Sequence, residues 1–173
     1  MSAPRPMKTN TNAPREGGAA IMTKRCKAIN ANVDKTLCEN TAVHSIVPLP
    51  GGRRMHIIAA YIEGGDFKHI DGVVAYATGL GEDVPVAIAA DWNQCVDDVL
   101  ARAPGWHDPM AATNGEQLTQ QTSFRHDGNG KRIDYFLVGD ALLPYVKEVK
   151  TRAEHLMNDH AVVTMRCVFE GRA

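Results

Sequence analysis

The run from Val84 to Ala90 is apolar throughout and stops abruptly on Asp91, Trp92, Asn93 and Gln94. Successive side chains of a strand point to opposite sides of a sheet, so a strand without polar alternation must be covered on both faces. That excludes an open, half-solvated sheet at this point of the chain and demands layers of structure above and below it. It also places a carboxylate and an amide at the end of a buried strand. With 173 residues, 44% of them hydrophobic, the chain can build one such layered domain and bury roughly 70% of its unfolded surface. A second full domain is not expected.

The neighbouring segments supply the layers. Thr41 to Leu49 and Met55 to Ile62 are β-branched and apolar stretches on either side of Pro50, Gly51 and Gly52, whose turn chemistry predicts an antiparallel hairpin. Gly64 and Gly65 end the second strand. Asp66 can then cap a helix in which Phe67, Ile70, Val73, Val74 and Ala77 recur at helical spacing as far as Gly79. Cys95 to Ala103 reads as a short helix. Ile133 to Val138, Val146 to Thr151 and Ala161 to Phe169 read as strands, and Gly18 to Thr23 as a short buried strand emerging from a turn. Pro104 to Asn129 reads as a long irregular stretch, and such loops are often functional. Residues 1–17 show neither hydrophobic period and are expected to be a flexible tail or a truncation boundary, with the domain running from 18 to 173. Strands interleaved with helices and mixed with hairpins predict a layered α/β fold with mixed β-sheets.

Nineteen Lys and Arg against twenty Asp and Glu leave a net charge of -1, so no global field draws the chain to nucleic acid or to an anionic membrane; a polyanion has to be met locally. No apolar run approaches the roughly 18 residues of a membrane span, and the opening segment lacks the apolar core of a secretory signal, so no membrane association is expected and the chain reads as soluble. Cys26, Cys38, Cys95 and Cys167 form no CxxC pair. Neither a zinc knuckle nor a redox motif is indicated, and reduced intracellular thiols are the expectation.

Three polar clusters abut apolar strands: Asp91 with Asn93, Arg132 with Asp134, and Asp159 with His160. An Asp and an Asn two apart can equally serve a turn or a helix cap. Asp134 is harder to read that way, because a carboxylate flanked by Ile133 and Tyr135 inside a strand costs several kcal/mol to bury unless a group such as His160 donates to it. Converging carboxylates select hard cations such as Mg²⁺. A magnesium ion, a carboxylate that takes a proton from water and a His that stabilises phosphorus-bound oxygen together suit phosphoester hydrolysis.

These motifs, in this order and with an apolar strand before each, resemble the endonuclease/exonuclease/phosphatase family, the fold shared by abasic-site endonucleases, retroelement endonucleases and inositol-phosphate phosphatases. The resemblance runs from Gly18 to about Phe169. Gly17 to Met22 resembles the family's Gly-rich strand, Ile57 to Tyr61 its strand ending in a phosphate-side Tyr, and Ala90 to Asn93 its Gly-Asp-Phe-Asn motif. Arg132 to Tyr135 resembles its Arg-Ile-Asp-Tyr strand, and Asn158, Asp159 and His160 its closing Ser-Asp-His. Trp92 stands for the usual Phe and Asn158 for the usual Ser. The resemblance implies a partial four-layer α/β sandwich whose first strands are missing. It also implies that Asp91 orients or deprotonates the attacking water, that Asn93 and Tyr61 contact the phosphate, and that His160 bonds the phosphoryl oxygen with Asp134 behind it. Asp159 would lie near the metal, which would be Mg²⁺, and the substrate would be nucleic acid or another phosphoester.

The family also carries a metal-binding Glu on an early strand, upstream of the Gly-rich strand, and nothing in this sequence matches it; Glu16 stands immediately before the glycine pair. Two further readings therefore stand beside a working nuclease. One is a catalytically inactive binding or assembly module, with a partner chain covering exposed sheet. The other is a phosphatase of small phosphorylated lipids or sugars. Three smaller features carry bland readings beside their functional ones. The loop from Asp127 to Gly130 suggests a calcium site but reads as a hairpin turn, and His155 with His160 suggests a zinc pair but reads as no zinc site. Arg125, Lys131 and Arg132 read as phosphate-steering cations or as an ordinary solvated loop.

Overall fold

The computed structural model describes residues 19–22, 29–30, 42–114, 121–123, 130–152 and 159–169. Eight strands and three α-helices run through these segments in the order β1 (Ile29–Asn30), β2 (Ala42–Pro48), β3 (Arg54–Tyr61), α1 (Phe67–Thr78), β4 (Val86–Asp91), α2 (Val96–Leu100), β5 (Trp106–His107), α3 (Pro109–Asn114), β6 (Asp134–Gly139), β7 (Val146–Arg152) and β8 (Val162–Cys167). Six strands form one sheet in the order β1-β2-β3-β4-β6-β5, and β7 and β8 form a second. β3 and β4 are parallel, joined over one face by α1, and every other pair is antiparallel. The fold is α/β with a mixed sheet.

The reasons are local. The β2–β3 turn places Gly51 at φ 75° and Gly52 at φ 74°, a left-handed conformation that glycine adopts without steric cost. Asp66 caps α1 by accepting a hydrogen bond from the Lys68 backbone N–H at 2.9 Å. The helix then buries Ile70, Val73, Val74 and Ala77 as one stripe while Phe67 stays partly exposed. That stripe lies on Ile58, Ala60, Val86, Ile88 and Leu137 of the large sheet. The opposite face of the sheet presents Ala87 and Val138 to a second core with Met110, Leu142, Val146 and Val149. Val86, Ala87 and Ile88 are consecutive and all buried, as a strand between two layers requires.

Three expectations change. The stretch from Pro104 onward contains β5 and α3, with Trp106 and Met110 buried; elements of two and six residues are too short to display a hydrophobic period. In the segment read as a strand from Gly18 to Thr23, the described residues Ala19–Met22 form only a single bridge at Ala20, and Met22 is 96% exposed. The helix after Cys95 is confined to Val96–Leu100. Residues 1–18, with Glu16, the tail boundary and the family's Gly-rich start, lie outside the described residues, as do Cys26, Cys38, Arg125, Asp127, Gly128, Asn129, His155 and Asn158. Among the described residues no helix is long and apolar enough to cross a membrane, and Cys95 and Cys167 are free thiols.

Candidate functional site

Strand register builds the site. Tyr61, the last residue of β3, pairs with Asp91, the last of β4, and Asp91 pairs across the antiparallel ladder with Asp134, the first of β6. Because side chains alternate, the burial of Ala90, Trp92 and Tyr135 in the helix-side core turns the row Tyr61, Asp91 and Asp134 to the other face. The three side chains line a cleft of about 340 Å³ whose remaining wall includes Ala59, Ala89, Phe136, Ala161 and Val163. His160 enters from the segment before β8, bridged to Ser123. Its Nδ1 lies 2.9 Å from Asp134 Oδ2, and a carboxylate oxygen accepts, so the imidazole donates.

Two carboxylates directly opposite each other in a ladder repel. Burial first, and the charge of Asp134 second, push the Asp91 carboxyl up from 3.8 to about 6; the charge of His160 and the Asn93 backbone N–H act in the other direction. For His160, burial disfavours the charged ring. The hydrogen bond to Asp134, with the charges of Asp134, Asp91 and Asp159, outweighs it, and the imidazole sits above its ordinary value. The pair of shifts sets a carboxylate able to take a proton near neutral pH beside an imidazole whose charged form is favoured.

The loop after β4 is held closely. Asn93 has φ 50°, its backbone N–H donates to Asp91 Oδ1 at 3.2 Å, and its side-chain Nδ2 donates to the Ile62 carbonyl at 2.9 Å. Trp92, fully buried, donates from Nε1 to the Tyr135 carbonyl at 3.1 Å. Gly65 lies against this loop so closely that a Cβ there would stand 2.7 Å from the Asn93 carbonyl oxygen. Asp159 is exposed and acts on His160 through its charge.

Sequence reasoning missed two supports. Asp108, buried, accepts from both terminal nitrogens of Arg132, at 2.6 and 2.7 Å. Arg132 is thereby bound into the base of β6, which corrects its reading as a solvated or phosphate-steering cation. Thr122, also buried, accepts at its hydroxyl oxygen from the backbone N–H groups of Ile133 and Asp134. Neither had a signal, since both lie in a polar stretch without period.

Among the described residues, Asp91, Asp134 and His160 form a group whose potential ligand atoms all lie within 4.8 Å of one another. The two carboxylates offer the oxygen donors that Mg²⁺ prefers. The imidazole, held as a donor to Asp134, is the poorer ligand.

The fold is that of the endonuclease/exonuclease/phosphatase proteins. The chain is similar in structure to the 3'-5' exonuclease NExo from Neisseria meningitidis, with 19% identity and a TM-score of 0.60, covering 76% of this chain and 66% of that one. It is similar to the endonuclease domain of TRAS1, a telomere-specific non-LTR retrotransposon, with 11% identity and a TM-score of 0.67, covering 87% and 72%. An AP endonuclease from Archaeoglobus fulgidus matches with 12% identity and a TM-score of 0.58, covering 83% and 70%. The chain thus spans just under two thirds of the length of NExo. No family model matches the sequence, and no curated protein sequence matches it.

Proposed function

We propose that this chain is a magnesium-dependent phosphodiesterase domain that hydrolyses phosphoester bonds of nucleic acid. The observation that carries the reading is the 2.9 Å pairing of His160 with Asp134 beside the raised carboxyl of Asp91, in a fold whose neighbours are described as exonuclease and endonucleases. Asp91 takes the proton of the attacking water. His160, oriented by Asp134, donates to a phosphoryl oxygen and offsets the charge gathering there. The Tyr61 hydroxyl and the second N–H of the Asn93 amide border the phosphate. Asp159, beside His160 in the chain, is the carboxylate that would hold magnesium, with the oxygens of Asp91 and Asp134, which lie close together, as further donors. Magnesium, when bound, supplies positive charge against the phosphate.

Incubation with Mg²⁺ and abasic or plain duplex DNA tests the reading. Strand cleavage is expected from the unaltered protein and not from Asp91→Ala or after chelation. Equal rates with and without the Asp91 carboxylate overturn it. Turnover confined to small phosphorylated lipids or sugars would favour the phosphatase reading, and DNA binding without turnover the binding-module reading.

A further inference from the structure

The two members of the Asp134–His160 pair are 26 residues apart: Asp134 starts β6 of the large sheet, and His160 stands just before β8 of the small one. A side-chain hydrogen bond at 2.9 Å weakens steeply when the groups drift by half an ångström or so, so something must hold the two backbones at a constant offset. Thr122 touches both. Its Oγ1 accepts from Ile133 N–H at 2.9 Å and from Asp134 N–H at 2.8 Å, and its carbonyl accepts from Ala161 N–H, next to His160, at 2.7 Å. The adjoining Ser123 bridges His160 on one side and Lys131 on the other. Thr122 is 0% exposed, and removing its hydroxyl would take the acceptor from two half-buried amides.

We infer that Thr122 is the positioning residue of the Asp134–His160 pair, its hydroxyl fixing the aspartate end and its carbonyl the histidine end. The catalytic consequence rests on the function proposed above; the geometric one does not. Replacement by Val keeps the shape and removes the acceptor, whereas Ser keeps the acceptor and removes only a methyl group.

The experiment compares Thr122→Val and Thr122→Ser with the unaltered protein. One readout is the downfield proton resonance of His160 Nδ1–H in metal-free protein, with Asp134→Ala as the reference for a lost pair. The other is kcat and KM on duplex DNA with Mg²⁺. The resonance is expected in the unaltered and Ser proteins and not in Val. A fall in kcat of about 10- to 100-fold, with KM little changed, should accompany its loss, the size expected of an ångström-scale misplacement. Should the Val protein not fold, Thr122→Cys, with its weak sulfur acceptor, replaces it under the same expectation. A Val or Cys protein that melts lower yet retains the resonance and kcat overturns the inference, as does an unaltered protein without the resonance. Loss of the resonance in Val from a protein that cleaves no DNA upholds the positioning role and rejects the proposed activity instead.

Discussion

Replacing Asp91 with Asn should stabilise the protein, and only above acidic pH. The carboxyl of Asp91 is raised from 3.8 to about 6, by burial and then by the facing charge of Asp134. The folded state therefore binds this proton more tightly than the unfolded chain does, and stability is lost as pH rises from about 4 through about 6. A shift of two units or so corresponds to about 3 kcal/mol. Asp91 is only partly buried, and its charge helps to keep His160 protonated, so about 2 kcal/mol is the better figure. Asn retains the oxygen that accepts from the Asn93 backbone N–H and cannot ionise. For a chain of 173 residues the gain amounts to about 4–8 °C in Tm. Melting curves of both proteins in chelator, so that no cation offsets the repulsion, should coincide near pH 4, diverge through pH 5 to 6 and run parallel above pH 7. A difference in Tm that is constant across pH would refute the reasoning, since it would show that the paired carboxylates cost nothing when ionised.

His44, buried between Tyr76 and His56 at 2.7 and 2.9 Å, is pushed down from 6.5 to about 4 by burial and then by the charge of His56. Its contribution to stability is complete above pH 6.5 and lost on acidification towards pH 4, about 3 kcal/mol in all. His44→Gln should flatten the fall of the urea midpoint between pH 7 and pH 4.5, and parallel curves would count against it. Asp108→Ala strands a buried guanidinium and takes the acceptor from the buried Met110 backbone N–H, and should cost about 3–5 kcal/mol in urea unfolding. The double variant Arg132→Met, Asp108→Leu should recover the share due to the stranded charge and not that due to the N–H, and no recovery would refute the charge argument. With Asp91 as the base, kcat/KM for DNA cleavage should fall about tenfold per pH unit on the acid side, below a midpoint that bound magnesium would draw down from the metal-free value of about 6, and a flat profile over pH 4 to 8 would remove Asp91 from that role.

Much of the frame was legible in the residues because its signals are local and periodic. The unbroken apolar run of β4 required two covering layers. The Pro-Gly-Gly turn joined β2 to β3, and Asp66 with the stripe Ile70, Val73, Val74 and Ala77 marked α1. The same logic drew attention to Asp134, since a carboxylate inside a strand needs a donor. What the sequence could not show is what holds these groups in place. Arg132 reads as one more surface cation until Asp108, 24 residues away, closes on it. Thr122 is an ordinary polar residue until its hydroxyl meets two backbone amides. The protonation of Asp91 follows from a ladder register that sets Asp134 beside it and from the depth of the cleft around both. Hydrophobic period and turn chemistry act between neighbours along the chain, so the residues alone determined the strands, the helices and the polar groups at their ends. Hydrogen bonds and charge coupling at close range act between residues distant in sequence, so partners, offsets and proton affinities were decided only by the tertiary structure.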